Sequence, residues 1–336
     1  MISGRYQEWA EAGMIKIPIT MAPPLRQVNS YLLRGPEGVT IIDPGPRTEV
    51  TEKEWEAVWK ELGIHPGDIT SIVVTHHHPD HFGLAGQLQS LTLAPVYMSA
   101  RAYKEAERMW GTASTVNEAL PTLFRQHGMP DEWLNQLPRH LNGFIPQVSP
   151  FPKVTIITED TLMTMGGRHW EPVMSGGHAP GHISLYNRDK KVMICGDAVL
   201  PQISPNISLL PGSETHPLNS FVSGLERLGT YEVSMAFPGH RSPFDYFHER
   251  IRSLIQHHEQ RLLRMEQLLR EESLTGFQVC SAVFGTKLGI HQMRFAMSET
   301  LAHLLELVRQ GRAAEEENTD GTGIRFRVLQ QSYGVL

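Results

Sequence analysis

The sequence predicts an α/β protein built in layers, and three observations predict it. Short apolar runs alternate with segments of helical spacing over much of the chain, several of those runs end in small-residue loops bearing histidine or aspartate, and a largely helical tail follows.

In chain order, strands are expected at 14–21, 28–34 and 39–42, the last two joined by the turn Gly35-Pro36-Glu37-Gly38, and this meander ends at Asp43-Pro44-Gly45. Trp55, Val58, Trp59 and Leu62 fall at helical spacing in 50–62, and Gly63 is the stop signal. The next strand, 68–75, delivers Thr75-His76-His77-His78-Pro79-Asp80-His81. If the backbone stays extended, His76 and His78 share one side and His77 takes the other. Pro79 stops strand pairing, and Asp80 sits where a helix N-cap belongs, ahead of helical 81–91. The order H-x-H-x-D-H at a strand end puts four potential metal ligands, His76, His78, Asp80 and His81, on one corner, which points to a metal site, with His77 an ordinary residue.

A strand and a helix at 95–98 and 100–110 continue the alternation, which then stops. Residues 111–150 are helical in tone and broken by Pro121, Pro130, Pro138 and Pro146, which fits either a lid or a packed helical subdomain. Strands resume at 154–157, 161–165 and 169–174 and lead to Gly176-Gly177-His178-Ala179-Pro180-Gly181-His182. A hairpin of 183–188 and 192–195 reaches Gly196-Asp197. The proline-rich 200–217 then forms either a wall of the site, with Asn206 or His216 touching substrate, or a rigid connection to helix 218–228. Strand 234–237 ends in Pro238-Gly239-His240.

Separate strand-end loops carrying nitrogen and oxygen ligands are what a two-metal site needs, with ions roughly 3.5–4 Å apart. An all-His/Asp set suits Zn²⁺ and tolerates Mn²⁺ or Fe²⁺. Cys195 reads as a small buried residue, not a ligand.

Composition narrows the classes. The chain has 336 residues, a 40% hydrophobic and 20% charged content, and a formal charge of −6. It is long enough for two domains, and its charge gives no general attraction for nucleic acid or an anionic membrane. No signal-peptide pattern or apolar run of membrane-spanning length is read, and the two cysteines cannot build a disulfide framework, so a cytoplasmic protein is expected.

His76-x-His78-x-Asp80-His81, His182 in Ala-Pro-Gly-His, Asp197 in Cys-Gly-Asp and His240 in Pro-Gly-His resemble, in order and strand context, the metallo-β-lactamase superfamily. Asp43 in Ile-Ile-Asp-Pro-Gly matches its first motif, whose role is mainly structural. The resemblance implies a four-layer αβ/βα sandwich with the metals at one edge between the sheets. It gives one ion His76, His78 and His182, the second Asp80, His81 and His240, and makes Asp197 the bridge; His178 is then a supporting residue. The resemblance then implies a metal-bridging hydroxide as nucleophile, oriented by Asp80 as it binds the second ion.

The tail, 248–336, reads as a domain separate from 1–247, with helices at 246–270, 274–284 and 297–309, a polar turn at 318–323 and a strand at 324–329. It resembles the winged-helix-like tail of some superfamily members. Ten basic residues against ten acidic ones in 251–336 leave no nucleic-acid footprint, so packing or homodimerisation is its expected role. The leading reading is a thioester or ester hydrolase acting on a small molecule, similar to hydroxyacylglutathione hydrolases and acyl-thioester hydrolases of the superfamily. The C-terminal basic residues of the glutathione-specific enzymes are not recognised, which keeps acyl-CoA substrates open. Alternatives are a lactonase, a ribonuclease or phosphodiesterase, and an iron-dependent persulfide dioxygenase.

Overall fold

The computed structural model describes residues 6–9, 13–317 and 323–329, so all of the expected turn at 318–323 except Gly323 lies outside the described residues. Its contacts divide the chain into two compact units: 1–114 with 143–205 and 223–252, and 115–142 with 206–222 and 253–336.

In the first unit two sheets face each other. One has seven strands, Gln7–Trp9, Met14–Thr20, Gln27–Gly35, Gly38–Ile42, Ile69–Val73, Val96–Ser99 and Val154–Ile157, lying in chain order. The first four pair antiparallel and the rest join in parallel, because helices Glu49–Leu62 and Ala100–Trp110 and the segment around Ala85–Thr92 make the crossovers. The other sheet runs Met235–Pro238, Val192–Gly196, His182–Asn187, Arg168–Ser175, Met163–Met165. Met14, Tyr31, Leu33, Ile42 and Val73 of one sheet and Trp170, Ile183, Leu185, Ile194 and Phe237 of the other form one buried core. This is the αβ/βα sandwich that the sequence implies.

Local chemistry fixes the elements beside the histidine corner. Thr48 caps helix Glu49–Leu62 by accepting from the Thr51 amide, and Gly63 ends it at φ +61°. Its buried Trp55 donates to the Pro44 carbonyl at 2.8 Å, holding the loop that begins at Asp43. The helix expected over 81–91 is two pieces, Pro79–Phe82 and Ala85–Thr92. Gly83 lies between them against the Gln147 carbonyl, where a Cβ would stand 2.1 Å from the oxygen. Asp80 is not the N-cap: His78 holds that position, Pro79 opens the helix, and Asp80 sits in its first turn.

The second unit contains helices Val116–Gln126, Asp131–Leu134, Leu137–Asn142, Gly276–Phe284 and Ile290–Arg309, and a three-stranded sheet ordered Leu274–Thr275, Ile324–Val328, Ala313–Glu317. The long helix Phe247–Glu271 starts in the first unit and runs into the second. The expected helix at 274–284 begins two residues late, because 274–275 pair as strand and Thr275 then caps the helix. Strand Ala313–Glu317 was not expected at all. No helix among the described residues is long and apolar enough to cross a membrane.

Candidate metal centre

Four loops at the ends of strands bring imidazoles and carboxylates together in the first unit. The first leaves strand Ile69–Val73. His76 Nε2 and His78 Nδ1 stand 3.0 Å apart, while His77 is in none of the ligand groups and its carbonyl accepts from the Trp110 indole at 3.1 Å.

The second loop carries both His178 and His182, and the two differ in use. His178 groups with His76 and His78, the three offering ligand atoms within 4.8 Å of one another. His182 begins the next strand, and its Nε2 accepts from the Asp197 amide at 3.1 Å. The sequence reading made His182 the ligand and His178 the support; the geometry brings His178 to the pair and gives His182 to the backbone of Asp197.

Asp197 and His240 come from the third and fourth loops, on adjacent parallel strands. The Gly239 amide donates to the Gly196 carbonyl at 2.8 Å. A Cβ at Gly239 would lie 2.2 Å from Asp197 Oδ1 and 2.7 Å from His81 Cε1, so only glycine fits where these loops touch. Asp197 lies among the imidazoles: Oδ1 is 3.5 Å from His81 Nε2, and Oδ2 is 3.4 Å from His240 Nε2 and 3.7 Å from His178 Nε2. His240 Nε2 is also 3.3 Å from Asp80 Oδ2, which lies 3.7 Å from His81 Nε2. Asp80 is the most exposed of these carboxylates, its side chain 20% accessible against 7% for Asp197.

Supporting residues hold this arrangement. Asp43 accepts from His81 Nδ1 at 2.9 Å and from the Thr75 amide and hydroxyl, both at 2.7 Å. The Thr75 hydroxyl is in turn 2.9 Å from His76 Nδ1. His240 Nδ1 donates to the Gln27 carbonyl at 2.7 Å. Asn29 donates to the carbonyls of Pro238 and Arg241, and the Tyr31 hydroxyl to that of Pro238. Thr75, Asn29 and Tyr31 were not singled out from sequence; only the strand-end position of Thr75, directly before the histidines, offered a signal.

Charge divides the cluster in two. Burial, reinforced by neighbouring imidazoles, holds His76 and His78 well below the usual histidine range, and burial and His178 bring His182 to about 3. Burial also lowers His81 and His240, but Asp197 and Asp80 outweigh it, raising His81 well above the usual range and His240 to about 10. Burial pushes Asp197 up, yet His240 and His81 hold its carboxyl well below the usual range. One half is therefore neutral imidazole, and the other pairs carboxylates with protonated His81 and His240, positive charge that a divalent ion would replace.

Divalent ions fit this donor set. Ligands about 2.0–2.1 Å from a tetrahedral ion stand roughly 3.3–3.4 Å from one another. The separations among Asp80, His81, His178, Asp197 and His240, 3.3 to 3.7 Å, run from that value upward, and the 3.0 Å between His76 and His78 lies just below it. His81 Nε2, His240 Nε2 and Asp197 Oδ1 are buried without hydrogen bonds, although each faces this cluster, and buried polar atoms rarely stay unsatisfied. On the far side of their rings His81 and His240 donate to a carboxylate and a carbonyl, as metal-bound histidines do.

Residues 23–240 match the family described as the metallo-beta-lactamase superfamily, and residues 262–329 match its metallo-beta-lactamase-like C-terminal domain. The structure is similar to a beta-lactamase domain protein from Burkholderia ambifaria, at 30% identity and a TM-score of 0.86, covering 96% of this chain and 94% of that one. The sequence is similar to a probable metallo-hydrolase of Bacillus subtilis, YqjP, 26% identical over 94% of this chain and 98% of the relative. It is also similar to the hydroxyacylglutathione hydrolase GloC of Haemophilus influenzae, 25% identical over 54% of this chain and 70% of that protein.

Proposed function

The chain belongs to the metallo-β-lactamase superfamily and carries the His/Asp cluster of a metallo-hydrolase, and from that premise we propose that it hydrolyses a thioester or ester bond in a small molecule with two divalent ions, Zn²⁺ being the metal its donors suit best. The carrying observation is the position of Asp197, whose Oδ2 lies between His178 of one group and His240 of the other, while its Oδ1 faces His81. His76, His78 and His178 would hold one ion and Asp80, His81 and His240 the other, with Asp197 beside both groups. His182 is a positioning residue that holds the Asp197 backbone.

When bound, the ions supply an activated water as nucleophile and polarise the scissile carbonyl. The protein residues do the rest. Asp43 and the Gln27 carbonyl fix the rings of His81 and His240, so the cluster is organised before substrate arrives. Asp80, with its more exposed carboxylate, is placed to accept a hydrogen bond from the attacking water and orient it. The carboxylates and imidazoles of the cluster are committed as ligands, which suits a leaving group that needs no protonator. A thiolate, with an ordinary pKa of about 8.5, is such a group, and the likeness to a hydroxyacylglutathione hydrolase supports the same class.

The test is thiol release by the metal-loaded full chain from a panel of acyl-CoA and acylglutathione thioesters, with a chelator control. Chelator-sensitive turnover of one thioester class is the expected result. No turnover on any of them, with two ions bound per chain, overturns the thioester reading and moves the search to lactones and phosphodiesters.

A further inference from the structure

The second unit holds a second cluster of ligand-type side chains, unconnected with the hydrolytic reading. His258 on helix Phe247–Glu271, and Glu299 and His303 on helix Ile290–Arg309, offer ligand atoms within 4.8 Å of one another, and all three are buried. Glu299 and His303, four residues apart, lie on one face of their helix.

The hydrogen bonds sort the atoms. His303 Nδ1 donates to the Glu299 carbonyl at 2.7 Å, which fixes the tautomer and leaves Nε2 with its lone pair outward. That lone pair accepts a hydrogen bond from His258 Nδ1 at 3.0 Å, and an ion seated between the two rings would take the place of that proton. The Glu299 carboxylate accepts from the Asn206 amide at 2.7 Å and pairs with Arg261. Asn206, one of the two residues expected to touch substrate, is thus engaged here. A carboxylate has about four acceptor sites, so these two donors leave room for an ion. Backbone support behind a histidine and donors behind a carboxylate are what surrounds metal ligands elsewhere.

We propose that His258, Glu299 and His303 form a further metal site, of the two-imidazole, one-carboxylate class that takes Zn²⁺, and that its ion ties the two helices together. A buried position between helices gives it a structural role, and its donor set excludes soft, sulfur-preferring ions.

The probe is Zn²⁺ alone, on the full chain carrying His76→Ala, His78→Ala and Asp197→Ala to disable the hydrolytic centre. After chelation, refilling and desalting, elemental analysis is expected to give one Zn²⁺ more per chain than the same protein with His258→Gln or His303→Gln added. Zn²⁺ is expected to raise the unfolding temperature of the parent and not that of the added variants. Should either added variant fail to fold, as read by far-UV circular dichroism, the other serves. Anomalous diffraction from Zn²⁺-soaked wild-type crystals gives an answer free of substitutions, with a peak expected among the three side chains. Equal zinc content with and without the added substitutions, or no anomalous peak at the triad, overturns the proposal. Because these readouts do not use the hydrolytic centre, a failure of the thioester reading leaves them intact.

Discussion

Asp43 Oδ2 lies 2.9 Å from His81 Nδ1, and the same carboxylate accepts from the amide and hydroxyl of Thr75, one residue before the histidine run. One buried side chain thus holds both the root of the metal loop and the ring of a ligand. Asp43 does so from a left-handed backbone, φ +52°, which aspartate and asparagine tolerate better than most residues. Asp43→Asn keeps that conformation and removes a charged acceptor. It is expected to weaken binding of the second ion about 10- to 100-fold with little loss of fold, checked by competitive metal titration and circular dichroism.

The two histidines of the Gly176–His182 loop are expected to separate by experiment. His178→Ala removes a ligand and should abolish tight binding of one ion. His182→Ala leaves the ligands in place but frees the Asp197 amide, so both ions should bind at reduced affinity. Metal content per chain after desalting distinguishes them; the opposite ranking would restore His182 as the ligand.

Gly239→Ala is expected to block the centre without replacing any of the side chains that would hold the ions. Its Cβ would stand 2.2 Å from Asp197 Oδ1, so Asp197 or the His240 loop has to move. Metal content and turnover should fall together, while far-UV circular dichroism shows the fold retained.

His127 supplies a pH prediction away from the metal centre. It is buried, its Nδ1 donates to the Leu123 carbonyl at 2.9 Å, its ring stacks on Phe326, and its Nε2 has no hydrogen bond. Burial lowers its pKa from 6.5, against smaller opposing effects of Leu123 and Glu315. The folded state therefore resists a proton that the unfolded chain accepts. The stability His127 contributes is present above about pH 6.5 and is lost as pH falls below that value toward its lowered folded pKa, by at most about 1.4 kcal/mol per pH unit. Denaturant unfolding at pH 7.5 and 5.5 should show a larger loss for the wild type than for His127→Phe.

Much of the fold and centre was legible because the ligands sit at strand ends, where an apolar run followed by Pro, Gly and His or Asp is a local pattern. His76, His78, Asp80, His81, Asp197 and His240 come together as that pattern implies. The choice between His178 and His182 was not local. The turn in which the His182 amide donates to the Ala179 carbonyl starts a strand at His182 and commits its ring to Asp197, and spacing alone does not reveal that. Asn29 and Tyr31 were illegible for another reason: they sit within an ordinary strand and act on a loop more than 200 residues away. Strand Ala313–Glu317 escaped because three successive glutamates, a residue type depleted in strands, carry no strand pattern, and Glu316 pairs with Arg327 only across the sheet.

The most direct test of the metal centre is anomalous diffraction from crystals of the Zn²⁺-loaded protein. Two peaks are predicted between the facing sheets, roughly 3.5–4 Å apart, one against His76, His78 and His178, the other against Asp80, His81 and His240, with Asp197 reaching both. A single peak, or a first ion held by His182 in place of His178, would contradict it.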